Sequence, residues 1–179
     1  MNIKTSRLVI RELQISDLDA FHAYRSNQEV AKFQGYEAMD LQEAESFIRK
    51  NARLDPEGSV QWVQYGIEQL ETSKLIGDCG IRLESGLAEI GITISPLHQK
   101  QGFAREAMKG VLDFLFRKRN VEEVVERVDT KNEASVNLLK SLNFRKKGWF
   151  KDLMYKGQLC DEFEFVLSKA DWDHGNLQK

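Results

Sequence analysis

The chemistry-bearing residues of this chain cluster where an apolar run gives way to a polar turn carrying a glycine. Glu89-Ile90-Gly91-Ile92-Thr93-Ile94 leads into Ser95-Pro96-Leu97-His98, then Gln99-Lys100-Gln101-Gly102-Phe103-Ala104-Arg105. The first run alternates like a strand, and the residues from Phe103 onward keep helical spacing. A helix starting there leaves the N–H groups of its first turn without intrahelical partners, and its dipole adds partial positive charge to them. Gly102 lets a ligand approach the backbone closely. Together these features make an anion site suited to a pyrophosphate. The same residues also fit a plain strand–loop–helix connection, so the surrounding elements have to decide.

Ser6–Leu13 alternates Leu8 and Ile10 with polar neighbours, as a strand does. Ser16 and Asp19 have capping-box spacing and predict a helix through about Arg25. Asp40 and Glu43 repeat the signature ahead of an apolar face of Leu41, Ala44, Phe47, Ile48 and Ala52. Val60–Leu70, Leu75–Glu84 and Ala88–Ile94 read as an antiparallel meander, with Ser85-Gly86 as its second turn. The clearest helix is Phe103–Arg119, whose apolar residues recur every three or four positions from Ala104 to Phe116. Val121–Asp129 is β-rich, and Glu133–Leu142 is a short helix with Val136, Leu139 and Leu142 inward. Phe144–Phe150 and Cys160–Ser168 close the fold as strands. This interleaving predicts one α+β (mixed α/β) domain over residues 1–179, built on a single sheet.

At 179 residues, with 41% hydrophobic and 30% charged side chains, the chain can bury a core without disulfides or metals. The net charge of −2 points to neither nucleic acid nor membrane. Residues 1–95 hold 10 Lys/Arg against 15 Asp/Glu, and residues 96–179 hold 16 against 13. The second half is thus mildly basic, which suits an anionic ligand. Cys79 and Cys160 lie far apart without metal-ligand spacing, so no metal is expected and both read as free thiols. No signal-peptide core and no run of about 20 apolar residues is present, and a cytoplasmic location is expected.

Gln99-x-x-Gly102-x-Ala104 resembles the Q/R-x-x-G-x-G/A signature of the GNAT superfamily of N-acetyltransferases. Thr5-Ser6-Arg7-Leu8-Val9-Ile10-Arg11 with Asp17, Leu75-Ile76-Gly77, Ala88-Glu89-Ile90-Gly91 and Asn132-Glu133-Ala134-Ser135 resemble its RimJ/RimL-type branch, which acetylates protein α-amines. Leu142-Asn143-Phe144 stands where that branch usually has Gly-Phe. The resemblance runs in order along nearly the whole chain. It implies a twisted, mostly antiparallel sheet with helices on both faces and a splayed strand pair holding acetyl-CoA. It implies main-chain pairing of Ile92, Thr93 and Ile94 with the pantetheine arm. The amides of Gln99, Lys100, Gln101, Gly102, Phe103 and Ala104 would hold the pyrophosphate. Asn132 would hydrogen-bond the arm near the thioester, and Lys100, Arg105 and Lys140 are the nearest cations for the phosphates.

Many members use a tyrosine seven residues after that asparagine as the acid; here the position is Leu139. The branch places a serine three residues after it, and Ser135 matches, either as a hydrogen-bond partner of the sulfur or as a packing residue. For the base, Glu89 faces away from Ala88, Ile90, Ile92 and Ile94 and thus toward the expected cleft. Glu68, His98 and water are alternatives. The acceptor implied is an amine: a peptide N-terminus, or a small amine such as a polyamine, an amino acid or an antibiotic. A silent acetyl-CoA-binding domain and a plain interaction module also fit the residues. Trp62, Tyr65, Trp149, Tyr155 and Gly35-Tyr36 are candidates for the acceptor side, and the resemblance leaves room for a homodimer.

Overall fold

Leu8 and Ile10 share one face of an extended segment and are completely buried, which seats the first long strand in the sheet. The computed structural model describes residues 1–52, 54 and 61–177. Its strands are β1 (Ile3–Lys4), β2 (Leu8–Glu12), β3 (Val63–Gln69), β4 (Lys74–Glu84), β5 (Leu87–Ile94), β6 (Glu123–Asp129), β7 (Arg145–Tyr155) and β8 (Gln158–Ser168). They form one sheet in the order β1-β2-β3-β4-β5-β6-β8-β7. Every pairing is antiparallel except β5 with β6. A parallel pair needs a crossover, and α4 (Phe103–Lys118) supplies it.

The apolar stripe read in α4 is the core: Ala107, Met108, Val111, Leu112, Leu115 and Phe116 are each at most 1% exposed. They pack with sheet residues that include Leu8, Ile10, Ala88, Ile90 and Val124. A second cluster joins α1 (Leu18–Arg25) and α3 (Leu41–Asn51) through Phe21, Tyr24, Ala44 and Ile48, over Leu13 and Leu75. Helices therefore cover both faces of the sheet. The Asp40–Glu43 capping box forms as expected, with both bonds at 2.8 Å. Among the described residues no helix is long and apolar enough to cross a membrane.

Several boundaries differ from expectation, each for a local reason. The Ser16–Asp19 capping box does not form. Asp17 instead accepts from the Gln14 N–H at 2.8 Å while paired to Arg11, and a tight turn at Ile15–Asp17 delays α1 to Leu18. A one-turn α2 (Gln28–Ala31), capped by Asn27, is too short to show periodicity. Val60 lies outside the described residues. β7 runs on to Tyr155 and turns through Lys156-Gly157, both with positive φ, into β8. Register shifts at Lys146/Gly148 and Phe150/Leu153 interrupt its alternation and hid its length. α5 (Glu133–Ser141) follows β6, and α6 (Lys169–Leu177), not expected, follows β8.

Candidate active site

β5 and β6 pair only over Leu87–Glu89 and Glu123–Val125. Beyond that point β5 stays with β4 through Ile94, and β6 stays with β8 through Asp129. The sheet splits, and a cavity of about 840 Å³ opens there.

At the far end of β5 the chain enters α4 through two left-handed residues, Lys100 (φ 59°) and Gly102 (φ 82°). Gln99 Nε2 donates to the Ile94 carbonyl at 2.9 Å and ties the loop to the strand it left. The N-terminal segment braces the loop from outside. Glu106, in the first turn of α4, accepts from the Thr5 hydroxyl at 2.6 Å, the Arg7 N–H at 2.8 Å and Arg7 Nε at 2.7 Å. Partial burial opposes ionisation, but these donors with Ser6 outweigh it and hold the Glu106 carboxyl down at about 2. Arg7 also lies over the buried Phe103 ring at 4.4 Å and donates to the Gln101 carbonyl. The Thr5-Ser6-Arg7 motif is therefore a brace for the loop. Gly77 matters in the same region, because a Cβ there would lie 2.2 Å from the Thr93 carbonyl oxygen.

The cavity brings together Glu89, Ile92, Thr93, Asn132 and Ser135. Asn132 caps α5 by accepting from the Ser135 N–H at 3.2 Å. Ile94 and Phe103 are buried, so only their main chain can serve a ligand. Gln99 to Ala104, Arg105 and Lys140 lie outside the cavity walls. Arg105 bonds the Ser141 carbonyl, while Lys100 and Lys140 are exposed. Glu89 reaches the cavity but is ion-paired with Arg82. Glu68 is bound to Arg11 at 2.6 Å on β3, outside the cavity walls, as is His98. Leu139 is 1% exposed in the core.

The opposite wall is assembled from distant parts of the chain. Asp78, wholly buried on β4, accepts from Arg25 Nη2, the Tyr24 hydroxyl and Gln64 Nε2, each at 2.5 Å. Arg25 in turn lies 3.8 Å from the centre of the Tyr36 ring. Burial first, then the Asp78 charge, pushes the Tyr24 hydroxyl well above its usual pKa, so it stays a donor. Trp62 and Gly35-Tyr36 line the cavity, whereas Tyr65 is buried in the core and Trp149 sits outside on β7. Tyr155 and Lys156 at the β7–β8 turn clasp the segment 31–36: Lys156 Nζ donates to the carbonyls of Ala31 at 2.8 Å and Tyr36 at 2.5 Å. The Tyr155 hydroxyl donates to the Gln34 carbonyl.

Among the cavity residues that escaped sequence reasoning, Glu126 stands apart. Glu126 is the first β6 residue after pairing with β5 ends, and its Oε2 is shut off from solvent without a hydrogen-bond partner. Burial alone pushes this carboxyl up to about 8. Its signal was parity: Val124, Glu126 and Val128 share one strand face, and both valines are core residues. Among the described residues no group of His, Cys, Asp and Glu is placed to hold a metal ion.

The model of the acetyltransferase (GNAT) domain family matches residues 7–145. An uncharacterized N-acetyltransferase, p20, of Bacillus licheniformis is 33% identical over 173 residues, covering 94% of this chain and 96% of that protein. A spermidine N(1)-acetyltransferase of Vibrio cholerae is 26% identical over 148 residues, covering 80% and 82%. A RimL ribosomal L7/L12 α-N-protein acetyltransferase, solved with coenzyme A, has the same fold with a TM-score of 0.83 at 18% identity, covering 97% and 100%. With the split sheet and the braced loop at the head of α4, these findings place the chain in the GNAT acetyltransferase family, as an acetyl-CoA-dependent N-acetyltransferase.

Proposed function

We propose that the chain acetylates the α-amine of a peptide or protein N-terminus. The observation that carries this reading is the charge pattern of the cavity. Arg82 neutralises Glu89, Lys147 pairs with Glu123 at 3.4 Å, Arg127 with Glu164 at 3.3 Å, and Arg25 with Asp78. A polycation would favour free carboxylates, and here four of the five that line or underlie the cavity are already engaged. A single amine bearing little charge suits such a wall better.

Reactivity points the same way. An α-amine with a pKa near 7.7–8.0 is neutral in roughly a tenth of molecules at pH 7, and a lysine amine near 10.4 in well under ~0.1%. Glu89, held by Arg82, is poorly placed to take a proton, so an acceptor that sheds its own proton to solvent fits this site. The likeness to a RimL protein named for α-N-protein acetylation adds support.

In this reading the main-chain amides of 99–104 hold the diphosphate, with the charges of Lys100, Arg105 and Lys140 nearby. Ile92 to Ile94 pair with the pantetheine arm, and Asn132 and Ser135 contact its thioester end. Acetyl-CoA supplies the activated acetyl group. The protein holds the two reactants together, which supplies much of the rate. The Ser135 hydroxyl can hydrogen-bond the sulfur, but it is too weak an acid to protonate it unaided.

The second reading, a small amine such as a polyamine, draws on the likeness to the spermidine acetyltransferase. Thiol release decides between them, measured with peptides carrying free or blocked N-termini and with spermidine. The α-amine reading expects turnover that disappears on blocking. Equal turnover on blocked, lysine-containing peptides, or a preference for spermidine, would contradict it.

A further inference from the structure

The family's usual tyrosine is replaced by the buried Leu139, so this chain needs another way to protonate the departing sulfur. The geometry points to Glu126 as the catalytic acid, a carboxyl that hands its proton to the thioester sulfur as the C–S bond breaks.

Three independent placements converge on this residue. Glu126 stands one position past the last β5–β6 pair, at the apex of the split. An arm anchored by its phosphates at the head of α4 and running back along β5 brings its thioester to that apex; from Ile94 to Glu89 is about 16 Å of strand. The carboxyl lines the same cavity as Asn132 and Ser135, the residues at the thioester end. Finally, its buried oxygen has no partner, an arrangement that costs free energy and that native interiors rarely keep without a use.

The surrounding charges leave it alone. The charged groups facing the cavity are Arg82 and Glu89 from β4 and β5, Glu123 and Arg127 from β6, Lys147 from β7, Glu164 from β8 and Arg25 from α1. Six of these pair with one another, and Arg25 pairs with Asp78 beneath the wall. Held at about 8 by burial alone, Glu126 keeps its proton at neutral pH, the form an acid requires. Glu89 and Glu126 thus differ in kind: the first is a paired carboxylate, the second an unpaired acid.

The step balances. The amine nitrogen forms a C–N bond to the carbonyl carbon while the C–S electron pair leaves on sulfur. Glu126 passes its proton to that sulfur. The proton shed by the new amide nitrogen returns through solvent in the cavity to the Glu126 carboxylate, which resets the site. No further reactant is consumed.

The inference rests on the acetyl-transfer assignment but is independent of which amine accepts, and the test separates the two. Glu126→Gln keeps the shape of the side chain. In ligand-free wild-type protein, a carboxyl raised from 4.5 to about 8 loses stability as pH rises through that interval, because the folded state retains a proton the unfolded state has released. The Tm of Glu126→Gln should lack this decline and exceed wild type above pH 7. CoA is then bound to both proteins by calorimetry, and the thiol of bound CoA is titrated by its ultraviolet thiolate absorption. Similar affinities are expected, with the bound thiol ionising at higher pH in wild type, where the Glu126 carboxylate opposes a second negative charge. With whichever amine supports thiol release, kcat should fall about 100-fold or more in the variant while the KM for acetyl-CoA holds. Equal thiol titrations, or a kcat within a few-fold of wild type, would overturn the role of Glu126 alone. Failure of wild-type protein to bind CoA would overturn the assignment of the cleft as well.

Discussion

The two walls of the split sheet are built in different ways. The donor side is continuous in sequence: one strand, one loop and one helix, Leu87 to Lys118, braced by Thr5, Ser6 and Arg7. In the proposed reading its work falls to backbone amides, and the side chains there mostly hold the loop in shape. The wall we read as the acceptor side is a composite of Arg25, Tyr36, Trp62, Gln64, Asp78 and Arg82, drawn from α1, the segment before α3, β3 and β4 and their approaches. Its work falls to side chains, each fixed by another. A backbone site tolerates exchange of exposed side chains but not of its glycines. A composite site should fail cooperatively when its buried anchor is removed.

The largest effect should come from that anchor. Asp78→Ala leaves the Arg25 guanidinium buried and uncompensated. Breaking such a pair costs about 3–5 kcal/mol, and a domain of this size loses about 2–4 °C per kcal/mol, so Tm should drop by about 6–20 °C. If the walls are separable, the folded fraction still binds CoA within a few-fold of wild type. An unchanged Tm would show that the network is not the anchor described.

Gly77→Ala addresses the donor wall. Its new Cβ meets backbone, the Thr93 carbonyl oxygen, and must displace the stretch of β5 read as the pantetheine partner. Overpacking of this kind costs about 1–3 kcal/mol. CoA affinity should fall about tenfold or more, the equivalent of about 1.4 kcal/mol. Calorimetry showing normal affinity would remove Thr93 and Ile94 from the binding path.

The smallest effect concerns the brace. Because Glu106 is held at about 2 rather than 4.5, the stability it lends is complete above about pH 4.5 and lost as pH falls toward 2. Glu106→Gln should show a slightly lower Tm at pH 7 and a flatter Tm profile between pH 4.5 and 2. Parallel profiles for the two proteins would mean that the brace carries no charge-dependent stability.

These contrasts also explain what the sequence disclosed. The α4 stripe, the meander and the Gln99–Ala104 loop were readable because their signals are local, in periodicity, turn residues and glycine. Asn132 and Ser135 came from motif resemblance and do line the cavity. The acceptor wall was largely illegible. Nothing local says that Arg25 will meet Asp78 across 53 positions. Glu89 was read correctly as facing the cleft, but its pairing to Arg82 depends on the β4–β5 register, Arg82 opposite Glu89. Glu126 was hidden by the opposite bias: a charged residue in a strand suggests solvent, and the burial of Val124 and Val128 on the same face was the sign to weigh against it.

The most direct test of the account is a crystal structure of the protein with coenzyme A. The diphosphate is expected within hydrogen-bond distance of main-chain N–H groups between Gln99 and Ala104, and the thiol between β5 and β6 beside Ser135 and Glu126. Phosphates bound elsewhere, or a thiol outside the split in the sheet, would contradict it.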